Sequence, residues 1–301
     1  MIPEFPNFKK LELTDKKDVE KITSEFPPYS DFNFVSMWIW DISNEMTISQ
    51  LNKNLVVIFN DYVTGKPFVS FIGKNKISET TSELIKFSEK NYKTPHLKLI
   101  SEEMVKPLTE KGFVVTPDKN SHDYVYSISH MADMDKWPQN TSGKKIRRFV
   151  KSCKDYTVKV SSIEEVSQEE HKDMFKRWAK NKSIANHFEL NEYKAFEKLL
   201  QIKEKNVKII SLYIKDILVG FTAYETLPEG YAISHFAKAD TKLDSAAYDM
   251  LNWEEAKILK TEKIKYYNWE QDLGIQGLRH SKIKYKPGFL LKQFIVSNPT
   301  S

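Results

Sequence analysis

The chain has 301 residues, 40% of them hydrophobic and 13% aromatic, with a formal net charge of +5. Disorder is therefore not the default, and the length suits two domains of about 150 residues each. One cysteine, Cys153, makes no intramolecular disulfide and belongs to no CxxC or CxxH spacing, so a metal site is not expected.

The start, MIPEFPNFKKLELTDKKD, lacks the apolar stretch of a signal peptide. No apolar run approaches the roughly 18 residues of a membrane span, so a cytoplasmic protein without a transmembrane segment is expected. Residues 8–13 predict a strand, and DKKDVEKITSEF a helix capped by Thr14 and Asp15. YSDFNFVSMWIWD is apolar at almost every position, so its period cannot separate helix from strand. Runs at 46–50, 54–60 and 67–72 read as an antiparallel meander. A helix over 78–92, a strand HLKLIS, a helix ended by Gly112 and a strand SHDYVYSIS follow. Residues 131–142 read as a linker.

The second half repeats this order. GKKIRRFVKSCKDYTVKV opens with a helix that carries Lys144, Lys145, Arg147, Arg148, Lys151 and Lys154 and no acid. Ile146, Phe149, Val150 and Cys153 give that helix an apolar seam. A strand from Tyr156 and two helices lead to three strands, VKIISLYIKD, ILVGFTAYETL and GYAISHFAKAD. A helix over 244–260, a strand IKYYNWE, a helix IQGLRHSKIKY and a strand FLLKQFIV close the chain.

Strand, two helices, three-strand meander, helix, strand, helix, strand is an order similar to GNAT-type acyltransferases. GKKIRRFVKSCKDYTVKV and AYDMLNWEEAKILKTEKIKYYNWEQDLG resemble the catalytic domain of phosphatidylglycerol lysyltransferases. NWEQDLGIQGLRHSKIKYKP and YSDFNFVSMWIWD resemble stand-alone relatives of that C-terminal domain. The resemblance implies an α/β (α+β) fold class, two tandem GNAT-like folds, each a mixed, mostly antiparallel sheet flanked by helices. The domains expected are 1–135, a degenerate structural half, and 136–301, which carries the cleft. It also implies transfer of an aminoacyl group from aminoacyl-tRNA to an amine or hydroxyl, on a small-molecule, peptide or lipid-headgroup acceptor. Two departures stand out: the multi-pass membrane region of the lipid flippases does not occur here, and KADTKLDSAAYD lacks the glycine-rich loop that cradles CoA pyrophosphate. No bound cofactor is expected, only aminoacyl-tRNA or acyl-CoA as co-substrate.

Candidate site residues follow from patterning and resemblance together. Glu254 falls within the helix face formed by Ala247, Met250, Leu251 and Ile258, so it is either a structural ion pair or a carboxylate base. Asn268 and Glu270 share one face of a strand end that meets either solvent or a cleft; the resemblance implies the cleft, with Glu270 and Asp272 holding the attacking amine or taking its proton. Arg279, Lys282 and Lys286 form a stripe if the segment is helical, either solvated or binding phosphate or carboxylate; alternatively Arg279 pairs with Glu270 or Glu254. His235 and Lys238 end a strand that, by resemblance, borders the donor cleft. Arg177 and Trp178 read as packing and rim. The basic helix, Lys144, Lys145, Arg147, Arg148 and Lys151, is either a solvated face or a polyanion contact fitting transfer RNA. Two other functions remain open: a CoA-dependent N-acyltransferase and a non-catalytic RNA- or polyanion-binding module.

Overall fold

The computed structural model describes residues 1–61, 64–138, 141–181 and 187–299, with side chains in the last span from 191. In chain order the elements are β1 (Lys9–Lys10), α1 (Lys16–Thr23), α2 (Phe34–Trp40), β2 (Thr47–Leu51), β3 (Asn54–Asn60), β4 (Pro67–Ile72), α3 (Ile77–Tyr92), β5 (His96–Ser101), α4 (Glu102–Glu110), β6 (Val114–Pro117) and β7 (Asp123–Ser127). Then come α5 (Ile128–Ala132), α6 (Thr141–Ser152), β8 (Tyr156–Ser162), α7 (Gln168–Asn181), α8 (His187–Leu199), β9 (Val207–Ile214), β10 (Ile217–Leu227) and β11 (Tyr231–Ala239). The chain closes with α9 (Ala247–Thr261), β12 (Tyr266–Asn268), α10 (Gln276–Lys284), β13 (Phe289–Leu291) and β14 (Gln293–Ser297).

The chain forms two interleaved compact units. The first comprises Met1–Tyr124, Gln271–Lys282 and Leu290–Ser301; the second comprises Val125–Glu270 and Ile283–Phe289. A single cut at 135/136 differs from this division because strands far apart in sequence pair. β14, at the end of the chain, lies between β5 and β6 and runs antiparallel to both.

In the first unit β1 to β4 form an antiparallel sheet in sequence order. Its core joins Val56, Ile58, Val69 and Phe71 of the sheet to Leu84 and Ile85 of α3, Leu97 and Ile100 of β5, and Val296 of β14. In the second unit the sheet order is β13-β7-β12-β11-β10-β9-β8; from β7 to β8 the pairs are antiparallel except for the parallel β11–β12 pair. Phe196 fills its core, stacked on Phe175 at 5.4 Å and edge-on to Phe236 at 5.4 Å. Rings in these geometries add to simple area burial. Mixed, mostly antiparallel sheets flanked by helices are the architecture expected from the sequence.

Local differences have local causes. The aromatic stretch 29–41 becomes a 3-10 turn and α2, because Asn33 accepts the Ser36 amide at 2.8 Å and caps the helix. The last strand is two, divided at Lys292, and β6 is an additional strand. The 131–142 stretch is no open linker: Met131, Met134 and Trp137 are buried, although positions 139–140 lie outside the described residues. Gly143 lets α6 close on this stretch, since a Cβ there would stand 2.5 Å from the Trp137 carbonyl oxygen.

Candidate active site

β11 and β12 pair over three positions only, Tyr231 with Tyr266, Ala232 with Tyr267 and Ile233 with Asn268. β11 then continues to Ala239 while β12 stops. On the β10 side, Ala223 pairs with Phe236 and Tyr224 with Ser234, so His235 is the extra residue of a β-bulge. A bulge re-aims a side chain, here at the point where the parallel strands part. The chain leaves β12 through Glu270, whose φ of 58° is left-handed. That conformation is held by the side chain of buried Asn268, which accepts the Glu270 amide at 2.7 Å.

Three side chains meet here. The imidazole of His235 is fully buried, with Nε2 3.6 Å from Glu225 and Nδ1 3.6 Å from Glu270. These are ion-pair separations rather than hydrogen-bond lengths. Burial alone would pull the imidazole pKa down, but the two carboxylates outweigh it and push it up to about 9. The two flanking carboxylates thus favour the imidazolium form of the ring. Glu225 is buried, and Asn206 donates to its other oxygen at 3.0 Å. Glu270 is the outer member, with 19% of its side chain exposed.

The helix α9 carries another buried carboxyl, bonded to β10 and β12. Glu255 of α9 accepts from Thr222 at 2.9 Å and from Tyr267 at 2.5 Å. Burial pushes its pKa up to about 8, so it is largely protonated at neutral pH. Further along β11, buried Lys238 pairs with Glu192 and lies 4.1 Å from the Trp178 ring centroid. Trp178 thus packs on the lysine, and Arg177 donates to Asp240 at 3.1 Å; the 182–186 part of the polar loop that follows lies outside the described residues.

Several sequence candidates have other partners. Glu254 accepts from Tyr156 at 3.0 Å and from Lys257 at 2.8 Å, which makes it one end of a structural ion pair within its own helix. Glu254 is buried, as its place on the face of Ala247, Met250 and Leu251 implies, and its neighbour Glu255 is buried as well. In the first unit, Asp272 takes a two-point contact from Arg279, at 2.7 and 2.9 Å, a 2.6 Å bond from Tyr124 and a 2.8 Å bond from the Gly274 amide. Burial opposes ionisation there, but Arg279, Tyr124 and that amide hold the carboxyl below its ordinary range. Asp272 is thereby fully engaged as the counterion of Arg279. Arg279 spends its fork on Asp272 and Asn120, not on Glu270 or Glu254. The cation stripe is broken: α10 ends at Lys284, Lys282 faces the Tyr124 ring, and left-handed Lys286 lies over Trp137.

The basic helix is also thinned. Arg147 donates to the Asp135 carbonyl, and Lys145 to the Ser245 carbonyl at 3.0 Å. Lys144, Arg148 and Lys151 are exposed and, among the described residues, in no ion pair. Their spacing puts them on one face of α6. Sequence reasoning missed Glu225 and Glu255. Glu225 was legible only as an acid inside an otherwise apolar strand, ILVGFTAYETL.

The turn before α9 explains a departure noted in the sequence. Asp240 accepts the amides of Lys242 at 3.1 Å and Leu243 at 3.3 Å, and Asp244 accepts that of Ala246 at 2.7 Å. Carboxylates occupy amides that would otherwise face an anion at this helix start. Among the described residues no helix is long and apolar enough to cross a membrane, and no group of three or more His, Cys, Asp and Glu is placed to hold a metal ion.

The family described as phosphatidylglycerol lysyltransferase, C-terminal, matches residues 24–297. A conserved protein of unknown function from Bacteroides thetaiotaomicron superposes with a TM-score of 0.81 at 24% identity, over 99% of this chain and 100% of that one. L-PGS from Bacillus licheniformis gives 0.63 at 14%, over 100% and 95%. FemX gives 0.58 at 8%, over 96% of both chains. At these identities the structures show a shared fold. A search of the curated proteins found no match.

Proposed function

Because the chain belongs to the family of phosphatidylglycerol lysyltransferase C-terminal domains, we propose that it transfers an aminoacyl group from aminoacyl-tRNA to an amine or hydroxyl where β11 and β12 part. The observation that carries this reading is the part-exposed Glu270 carboxylate, set by a left-handed backbone and the His235 bulge at the mouth of a strand divergence. Buried charges persist where structure over-determines them, and such places are enriched in active sites.

In this reading the acceptor's nitrogen or oxygen attacks the ester carbonyl carbon. A new C–N or C–O bond forms and the ester C–O bond breaks. Glu270 takes the acceptor's proton, and the leaving ribose oxygen receives it back, so no net proton is gained or lost. His235, an imidazolium, holds Glu270 rather than acting as base itself. No covalent enzyme intermediate is invoked. The exposed Lys144, Arg148 and Lys151 face of α6 supplies sequence-independent phosphate contacts to the donor. The carboxylates at the turn before α9 oppose a pyrophosphate there, which favours charged RNA over acyl-CoA.

The test offers the protein charged tRNA and acyl-CoA separately, with a panel of amine, hydroxyl and phosphatidylglycerol acceptors. The expected result is acceptor-dependent consumption of charged tRNA alone. Consumption of acyl-CoA alone would establish the CoA-dependent alternative. Salt-sensitive tRNA binding without consumption of either donor would leave a polyanion-binding module.

A further inference from the structure

We propose that Glu225 is a positioning residue for the transfer site: through His235 it fixes where the Glu270 carboxylate stands. This assignment rests on the reading of Glu270 given above.

The geometry runs as a chain of contacts. At its inner end, the Asn206 side chain donates to Glu225 at 3.0 Å and to the Thr226 carbonyl at 3.1 Å, while the Asn206 carbonyl accepts the Thr226 amide at 2.9 Å. The two bonds to the Thr226 backbone fix Asn206 against the end of β10, and the third ties the Glu225 carboxylate to it. Its other oxygen faces His235 Nε2, and His235 Nδ1 faces Glu270, each at 3.6 Å. The charged groups facing His235 are thus Glu225 from β10 and Glu270 from the segment after β12.

A buried ion pair is rarely the cheapest way to hold a fold, because apolar residues of similar volume serve as well or better. Glu225 has no exposure, on a strand whose preceding residues from Leu218 to Tyr224 are all buried. Its placement makes sense as the second carboxylate of a pair that keeps the imidazole charged while leaving Glu270 outward. One carboxylate alone must overcome the full desolvation cost of the ring. With Glu225 in place, His235 carries its proton whether or not Glu270 is engaged with an acceptor. Glu270 is left-handed, and the Asn268 bond and the His235 charge are what hold it there.

The test uses the full chain with Glu225→Gln, a near-isosteric change, and Glu225→Asp, which restores the charge. Two readouts are taken: the His235 ring nitrogens followed by NMR against pH, and the pH profile of aminoacyl transfer from charged tRNA. In the wild type both ring nitrogens stay protonated at pH 7. Glu225→Gln is expected to lower the His235 midpoint by at least one pH unit. It also lowers kcat by about 10- to 100-fold with KM little changed, and moves the alkaline limb of the rate profile down with the midpoint. Glu225→Asp recovers part of both. A wild-type ring already neutral at pH 7, or a midpoint unmoved by Glu225→Gln, overturns the proposal. If the wild type transfers nothing, the proposed function fails, while the NMR midpoint still decides whether Glu225 sets the state of His235.

Discussion

The two units contain the same run of elements and fill it differently. In the first, β2, β3 and β4 are followed by α3 and β5; in the second, β9, β10 and β11 are followed by α9 and β12. The first unit puts Val56, Val69, Phe71, Leu84, Ile85, Leu97 and Ile100 at the heart of that run, and its β4 and β5 belong to separate sheets. The second puts Glu225, His235, Lys238, Glu255 and Asn268 there, and joins β11 to β12 over three positions before they part. The helices make the same point: α3 buries Thr80, Thr81, Leu84, Ile85 and Ser88 and no charged residue, whereas α9 buries Asp249, Glu254 and Glu255 among its apolar residues. A similar framework tolerates an apolar filling, so the buried charges of the second unit are not a requirement of this run of elements. Their cost is consistent with chemistry in one unit and support in the other.

The largest contrast is between Glu270→Gln and a core change in the first unit. Glu270→Gln should lower transfer by about 100-fold or more while thermal unfolding stays within a few degrees. Phe71→Ala should do the reverse, costing about 3–5 kcal/mol by denaturant unfolding while the folded fraction keeps its kcat. A Phe71 variant that loses turnover per folded molecule would break the division of labour.

Next in size is the ion pair of the 271–282 segment. Asp272→Asn should cost about 1–3 kcal/mol, because it weakens Arg279, Tyr124 and the Gly274 amide at once, and should change transfer only a few-fold. A loss of transfer as large as that of Glu270→Gln would return Asp272 to the catalytic set.

Glu255 gives a pH signature. Its folded pKa of about 8 lies above the ordinary 4.5, so the native state binds the proton more tightly. Its contribution to stability is full below pH 4.5 and is lost as pH rises to about 8. His235 has the same sign, full below 6.5 and lost through about 9. Asp249 and Asp272, held below 3.8, act oppositely and lose their contribution as pH falls into that range. Glu255→Gln should flatten the decline between pH 4.5 and 8 in chemical unfolding, and leave the acid limb unchanged.

The smallest effect concerns α6. Charge reversal at Lys144, Arg148 and Lys151 should weaken tRNA binding and reduce the slope of log K against log salt by about 0.7–0.9 per lost phosphate contact. Reversal at Arg147, whose guanidinium is already committed to a backbone carbonyl, should disturb packing more than binding.

Much of the architecture was legible from local pattern. Short apolar runs separated by turn residues gave the meanders, and GYAISHFAKAD and YYNWE marked the two strands that part. The interleaving of the units was not legible, because nothing local in FLLKQFIV says that β14 lies between β5 and β6. The site was half legible. His235, Glu270 and Asn268 stood out as polar groups at strand ends and do come together. Glu254 and Glu255 are adjacent and both buried, so the periodicity that picked out the first gave no sign of the second. Asp272 and Arg279 looked like chemistry because both are charged and close; only the geometry shows that each consumes the other. Glu225 needed the bulge at His235, a one-residue register slip invisible to periodicity.

The central claim is that acyl transfer takes place where β11 and β12 part, with Glu270 as its working carboxylate. The most direct measurement is single-turnover consumption of charged tRNA in the presence of an active acceptor, comparing wild type, Glu270→Gln and Phe71→Leu at equal folded concentration. The account predicts that wild type and Phe71→Leu react at similar rates and that Glu270→Gln is slower by about 100-fold or more. Equal rates for wild type and Glu270→Gln would contradict it.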